Sequence, residues 1–338
     1  MRYQRVFIEG IEVVEPPVEV STRSLEKMLG PLYRRLGLSE GLLQGLTGVA
    51  SRRFWPEAST SADGATQAAR ALLERHGVGV GEVEALVSTS VSKDFLEPPI
   101  ASLVGGDLGV GAGCANFDVG HACLGFMTGM LTVANLIELG QIEVGLVVAG
   151  ESSRKVTQAT VRRLLQSSSD FGTFRDNLAT LTLGSMGVAA LLVHERRARC
   201  GHRLLGGVSR ASTRHSKLCL GTATEMTTDA PTLLKAGVAL AASTYEALHD
   251  ELSLERGVER EHVLHQVGKA NHDALIERLG LPAHRVLRLY EDYGNVGAAG
   301  VPFTLASAVA AGRLPEGDEA LLLGIGSGLN CTMLGIRW

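Results

Sequence analysis

The sequence predicts a layered α/β fold of two duplicated halves, each a five-stranded sheet covered by helices, spanning residues 1–197 and 198–338. Three observations predict it. Short β-type runs alternate with helix-length stretches along the whole chain. Runs such as "VGLVVAG" (144–150) and "ALLLGIG" (320–326) carry no polar side chain and suit strands buried on both faces. The order of signals in the first half then recurs in the second.

The halves open on "RVFIEGIEVV" (5–14) and "RLLGGVSRAS" (203–212). Helix-like segments with a Gly-Val pair, "ALLERHGVGVGE" (71–82) and "ALHDELSLERGVERE" (247–261), lead into the strands "VEALVSTS" (83–90) and "HVLHQV" (262–267). A further helix-like stretch closes each time on a Leu-Gly turn, at Leu108-Gly109 and Leu279-Gly280. Cys123 lies 15 residues beyond Leu108 (123 − 108), and Asn295 lies 16 beyond Leu279 (295 − 279). An apolar helix then runs to Gly140 or Gly312, 17 residues on in both cases (140 − 123 and 312 − 295). The strands "VGLVVAGES" (144–152) and "EALLLGIGSG" (319–328) follow, and "GVAALLVHE" (187–195) and "CTMLGIRW" (331–338) close the halves. A β-type run ending at Cys123, with its counterpart, brings the count to five per half. The segment 154–181 has no counterpart, and its Val156, Val161, Leu164 and Leu165 define a helix face that caps a tunnel or forms an interface.

Composition narrows the function classes. Apolar residues make up 45% of the chain, and the formal charge of −4 comes from interspersed charges, with no block marking a nucleic-acid or lipid surface. No apolar stretch approaches the ~20 residues of a membrane span, and the start does not read as a signal peptide, so a cytoplasmic protein is expected. The basic run 34–53 is either a solvated edge or a patch for an anionic cofactor. Five cysteines without a CxxC pair suggest neither a disulfide framework nor a zinc site, and no metal is expected.

Cys123, His265 and Asn295 all fall at strand ends, where open α/β sheets place ligands. Cys123 stands at the first turn of the apolar helix "CLGFMTGMLTVANLIELG", where backbone N–H groups and the helix dipole favour thiolate. Taken alone it is a nucleophile or a core thiol, His265 a site residue or a core histidine, and Asn295 a donor or a turn residue. The duplication sets Asn295 opposite Cys123. A cysteine flanked by neutral His and Asn donors suits acyl transfer from a thioester, the cysteine carrying the acyl group while His and Asn stabilise an enolate oxygen.

The segments "GVASRRFW" (48–55), "FDVGHACLGF" (117–126), "VLHQV" (263–267), "YGNVGAAGVPFTL" (293–305) and "GIGSGLN" (324–330) resemble, in order, those of the ketoacyl-ACP synthase III group of the thiolase superfamily. The resemblance implies the αβαβα thiolase fold and a homodimer. It implies Cys123 as nucleophile, His265 and Asn295 as the enolate-stabilising pair, and the N–H groups of Cys123 and Gly328 as oxyanion hole. Arg52 and Arg53 are candidates for holding CoA phosphates or are surface ion-pair residues. The fourth position of the synthase III His-Gln-Ala-Asn motif is Gly268 here, so only His265 carries over from it.

Within the group, "STSVSKDFLEPPIAS" (88–102), "ATLTLGS" (179–185) and "GIGSGLNC" (324–331) are most similar to the OleA enzymes, which join two fatty acyl-CoA molecules without decarboxylation. Removing an α-proton from a thioester needs a base, and the resemblance assigns that role to Glu97, reaching into the neighbouring subunit's site. The expected reaction is a Claisen condensation of two long-chain acyl thioesters to a 2-alkyl-3-ketoacyl thioester. No resident cofactor is expected; acyl-CoA or acyl carrier protein carries the substrate. Two alternatives share the chemistry. One is a stand-alone ketosynthase that condenses two carrier-protein-bound polyketide chains, with Arg34, Arg35, Arg52 and Arg53 as basic charge for the carrier; the other is a synthase III-like acyltransferase.

Overall fold

The strands of the first half are β1 (Val6–Val14), β2 (Val18–Ser21), β3 (Ser51–Phe54), β4 (Ala85–Ser88), β5 (Ala115–Asp118), β6 (Val144–Glu151) and β7 (Met186–His194). Those of the second are β8 (Arg203–Ala211), β9 (Cys219–Gly221), β10 (Met226–Thr228), β11 (Glu261–Leu264), β12 (Glu319–Gly326) and β13 (Asn330–Arg337). They come from a computed structural model that describes all 338 residues.

Nine strands join in the order β11-β12-β13-β8-β1-β7-β6-β4-β5. The halves meet where β1 and β8 pair antiparallel at Phe7 and Arg203. Outward from that junction, β1-β7-β6-β4 on one side matches β8-β13-β12-β11 on the other, strand for strand and with the same parallel and antiparallel pairings. The sequence repeat is therefore a repeat of topology.

Alternation along the strands builds the layers. Val87, Val147, Ala149, Val188 and Ala190 face a central core that also holds Val263, Ala320 and Leu322 of the second half. Between them lie helices Gly125–Glu138 and Gly300–Ala310, which contribute Phe126, Met130, Val133, Val301 and Leu305 to that core. Leu86, Leu146, Val148 and Leu191 point the other way, onto helices Ser61–His76 and Ile100–Leu108. Leu264, Leu321 and Leu323 point onto helices Ala230–Leu252 and Lys269–Leu279. This gives helix, sheet, helix, sheet, helix, the αβαβα thiolase arrangement. Of the polar-free runs read as two-sided strands, every residue of β6 is buried, as is every residue of β7, and in 320–326 all but half-buried Ile325 are buried. Full burial of each large apolar side chain contributes on the order of 2 kcal/mol.

The turn signals mark real helix ends. Gly109 and Gly280 cap helices Ile100–Leu108 and Lys269–Leu279 with φ of 78° and 64°, and Gly140 and Gly312 follow the two central helices at 70° and 67°. These left-handed conformations favour glycine.

One strand of the second half departs from the expectation of five. β5 has no counterpart, because the chain ahead of Asn295 runs as loop and a short helix, Tyr290–Tyr293. Its backbone donors go to side chains instead of a ladder: Leu287 N–H donates to Glu261, and the Leu289 and Tyr290 N–H groups donate to Gln266 Oε1. The helix at 154–164 also turns differently from its expected face. Val161 and Leu164 are buried with Thr157 and Thr160, while Val156 is half-buried and Leu165 exposed. That face packs on Leu29, Leu32, Tyr33, Leu43, Phe174 and Leu181, a small separate core over the N-terminal helices.

Candidate active site

The two central helices bring the site together. Cys123 lies in a 3₁₀ turn, Ala122–Leu124, at the start of helix Gly125–Glu138. Asn295 lies just before the 3₁₀ turn Gly297–Ala299 that starts helix Gly300–Ala310. The residues ahead of them, Ala122 and Gly294, are both left-handed, with φ of 46° and 66°. Both therefore have a positive φ, which glycine adopts freely and alanine adopts at a cost, and Gly294, with ψ of −156°, takes a conformation that is essentially glycine's own. The two turns pack against each other and Ala122–Leu124 also packs on β12. Its Gly326 approaches so closely that an added Cβ would lie 3.5 Å from the Cys123 N and 3.0 Å from Leu124 Cγ. Gly328 follows two residues later, where the strand turns into β13.

His265 extends β11 by donating its N–H to Leu323 O at 2.9 Å. Its ring is buried, and neither nitrogen has a hydrogen-bond partner. An added Cβ at Gly300 would lie 3.0 Å from its Nδ1, so the ring sits against the start of the Asn295 helix. Burial pushes the imidazole down to about 4, leaving it neutral, with one donor and one acceptor nitrogen at physiological pH. The Asn295 backbone is pinned by Thr182 O at 2.9 Å and by Gly184 N at 2.8 Å. Its Oδ1 accepts from Gly297 N–H at 3.0 Å, which commits the carbonyl and leaves the amide NH₂ as the donor end.

Cys123 is a thiol in this environment, opposite to the expectation from the helix dipole. Burial pushes it up to about 12, reinforced by the charge of Glu151 and by Cys219. Desolvation outweighs the dipole because a lone thiolate beside a buried carboxylate has no cation to compensate it.

Glu97 is exposed on the loop between β4 and helix Ile100–Leu108, outside the site of its own chain. Around it Val91, Phe95 and Leu96 are 51%, 54% and 99% exposed. The base of the loop is anchored: Lys93 pairs with Asp118, and Asp94 pairs with Lys155 and accepts from Ser61.

The arginines separate. Arg52 is fully buried and donates to Thr22 Oγ1 at 2.9 Å and Leu181 O at 2.8 Å. It ties β3 to the segment after the 154–164 helix, and its burial removes it as a phosphate ligand. Burial also pushes its guanidinium down to about 10. Arg53 is partly exposed but committed to Glu15 at 3.2 Å and Glu19 at 3.8 Å, which is the ion-pair reading. Alternation along β3 turns the neighbours to opposite faces.

Glu151 escaped the reading of the sequence. Its signal was a carboxylate closing a run that is otherwise wholly apolar, a position that burial makes costly without dedicated donors. A separate surface cleft of about 530 Å³ lies over Gly41, Gln44, Gly45 and Gly48. Its charged lining is Glu291 and Asp292, the wrong sign for a CoA phosphate.

Family models for the synthase III and synthase III C-terminal regions of 3-oxoacyl-[acyl-carrier-protein] synthase match residues 117–173 and 260–338. An acyl-CoA:acyl-CoA alkyltransferase of Xanthomonas campestris pv. campestris is 37% identical over 338 residues, covering 100% of both chains. One of Shewanella oneidensis is 39% identical over 351 residues, again covering 100% of both. The chain belongs to the OleA-like enzymes of the thiolase superfamily. It is accordingly an acyl-transferring condensing enzyme. A crystal structure of Xanthomonas campestris OleA superposes with a TM-score of 0.97 at 37% identity, covering 100% of this OleA-like chain and 98% of that one. Variants of that OleA have been crystallised with a cysteine, a histidine or a glutamate replaced. The glutamate precedes the cysteine by 26 positions and the histidine follows it by 142. Glu97, Cys123 and His265 have the same spacing (123 − 97 = 26; 265 − 123 = 142).

Proposed function

We propose that this OleA-like enzyme condenses two long-chain acyl-CoA molecules head to head through an acyl-Cys123 intermediate, as a homodimer in which each subunit lends Glu97 to the other. The observation that carries this reading is the split between the halves of the machinery. Half-buried Cys123 sits where the Asn295 turn and β12 pack on its own turn, with buried His265 against the start of the Asn295 helix, whereas Glu97 stands exposed on an apolar, anchored loop.

In the first step the Cys123 sulfur attacks the acyl carbonyl, CoA leaves as the thiolate, and the Cys123 proton ends on CoA sulfur. The N–H groups of Cys123 and Gly328 receive the oxyanion. Neutral His265, with a free acceptor nitrogen, relays the proton from a thiol that does not ionise by itself. In the second step the partner's copy of Glu97 takes an α-proton from the second acyl-CoA. The enolate oxygen is held by the N–H of His265 and the amide of Asn295. The enolate carbon bonds to the Cys123-bound carbonyl carbon, the carbon–sulfur bond to Cys123 breaks, the proton that Glu97 took is returned to the Cys123 sulfur, and the product is a 2-alkyl-3-ketoacyl-CoA. Carrier-protein delivery loses support from three of its four arginines, since Arg35, Arg52 and Arg53 are engaged within the chain and only Arg34 stays exposed and unpaired.

Subunit mixing tests the scheme. Cys123→Ala and Glu97→Gln proteins are each expected to be inactive with myristoyl-CoA. Co-refolded, random pairing restores about a quarter of wild-type activity, because half of the dimers carry one intact composite site. No recovery, or a Glu97→Gln protein that condenses at the wild-type rate, removes the shared base from the scheme.

A further inference from the structure

Glu151 ends β6 and is buried between two loops of the site. Its Oε1 accepts from Val91 N–H at 2.9 Å and from Ala298 N–H at 3.1 Å. Its Oε2 accepts from Ser92 N–H at 3.1 Å and from the Ser92 hydroxyl at 2.6 Å. Val91 and Ser92 begin the loop that carries Glu97; Ala298 lies in the turn directly after Asn295. No cation meets this carboxylate. Gly297 makes the approach possible, since an added Cβ there would lie 2.9 Å from Glu151 Cδ. Ser92 extends the web by accepting from Ser152 N–H at 2.7 Å.

We infer that Glu151 is a positioning residue that locks the Glu97 loop and the Asn295 turn into one rigid unit, so that base and enolate donor keep their places during condensation. The inference rests on the proposed role of Glu97. A buried carboxylate with four donors and no counter-ion is a costly way to staple two loops, which an apolar contact would do more simply. What the carboxylate adds is direction. Each oxygen receives two donors from fixed angles, and the two loops share one acceptor group. Burial raises the Glu151 carboxyl against the pull of its four donors, and in its charged form it favours the thiol of Cys123 through space. Because Glu97 serves the neighbouring site, the staple joins the Asn295 of one site to the base of the other.

The two half-reactions separate positioning from general damage. Formation of acyl-Cys123 from myristoyl-CoA, followed by mass spectrometry, needs neither Glu97 nor Asn295. Exchange of the α-hydrogens of myristoyl-CoA in D₂O, and condensation, need both. For Glu151→Ala, acylation at wild-type rate or faster is expected, with exchange and condensation down at least tenfold. Glu151→Gln keeps one acceptor oxygen for Val91 and Ala298, and its condensation should stay within tenfold of wild type. Ser92→Ala removes the hydroxyl's bonds to Glu151 and to Ser152 N–H while leaving the three backbone donors on Glu151, and carries the same test in milder form should Glu151→Ala fail to fold, with threefold or more off exchange and no change in acylation. Parallel losses in acylation and exchange, or no loss in exchange, would overturn the inference. Glu97→Gln is the control. If that protein still exchanges, the base is misassigned and the inference goes with it; if it does not exchange while the Glu151 and Ser92 variants do, the inference alone is wrong.

Discussion

The turn around Cys123 and the turn around Asn295 occupy equivalent places in the two halves, yet they do opposite work. Both follow a left-handed residue, both pass through a 3₁₀ turn into a buried helix, and both helices end two residues before a left-handed glycine. The first presents a sulfur with a raised proton affinity; the second presents an amide already committed at its oxygen. Duplication supplied the scaffold and the geometry of approach. Divergence of one side chain per turn supplied a nucleophile on one side and a donor on the other. The difference teaches that the repeat sets where the two turns lie, at the entries to the two central helices, and the side chain at the matching point in each copy sets the chemistry.

The largest contrast is between the two side chains themselves. Cys123→Ala should abolish acyl-enzyme formation and lower condensation by at least about 1000-fold, since no other nucleophile lies in the turn. Asn295→Ala should leave acylation intact and lower condensation about 100- to 1000-fold, the usual effect of removing one oxyanion donor. Mass spectrometry of the acylated protein beside product quantification checks both. If Asn295→Ala also stops acylation, the division of labour between the halves is wrong.

A smaller effect concerns the buried histidines of the second half. His262 and His265 are both pushed down to about 4 by burial, below the ordinary 6.5 of an unfolded chain. Below pH 6.5 the unfolded chain therefore binds protons that the native chain refuses. Their contribution is fully present above pH 6.5 and is lost as pH falls to about 4, up to about 3 kcal/mol for each. Urea unfolding at pH 7.5, 6 and 5 should show the decline, to which His121, His202 and His272, also pushed down by burial, add, and replacing His262 with Gln should make the slope shallower.

The smallest test compares the backbones. An added Cβ at Gly294 would lie 2.2 Å from Thr182 O, so Gly294→Ala should cost on the order of 3 kcal/mol and displace Asn295. Ala122→Gly relieves a left-handed alanine and should change stability by no more than about 1 kcal/mol. Denaturation midpoints of the two variants measure the contrast, and equal effects would mean that the Gly294 backbone is not held against Thr182 O.

Much of this was legible because its signals are local. Leu108-Gly109, Leu279-Gly280, Gly140 and Gly312 announce helix ends through glycine's access to positive φ, and counting between them aligned Cys123 with Asn295. The polar-free runs announced buried strands. What failed to show depended on partners distant in the chain. Arg52 looked like surface charge because its acceptors, Thr22 and Leu181, lie 30 and 129 residues away. The missing strand before Asn295 depended on Glu261 and Gln266 taking over its backbone donors. Leu165 fell off its helix face because the small core beneath that helix is built from residues 29–43, nothing in the local pattern.

By itself the sequence determined the layered fold, its duplication, the place of His265 at a strand end, the correspondence of Cys123 with Asn295 at the entries to the two central helices, and the family to which the chain belongs. The fold, the duplication and the positions rest on periodicity, on glycine's conformational freedom and on spacing, which are properties of neighbours in the chain, and the family rests on the resemblance of the motifs. Only the tertiary structure decided the protonation of the site, the burial of Arg52, the exposure of Glu97 and the place of Glu151. Each of those depends on how much water a group loses and on which donors meet it, and both are set by elements brought together from both halves of the chain.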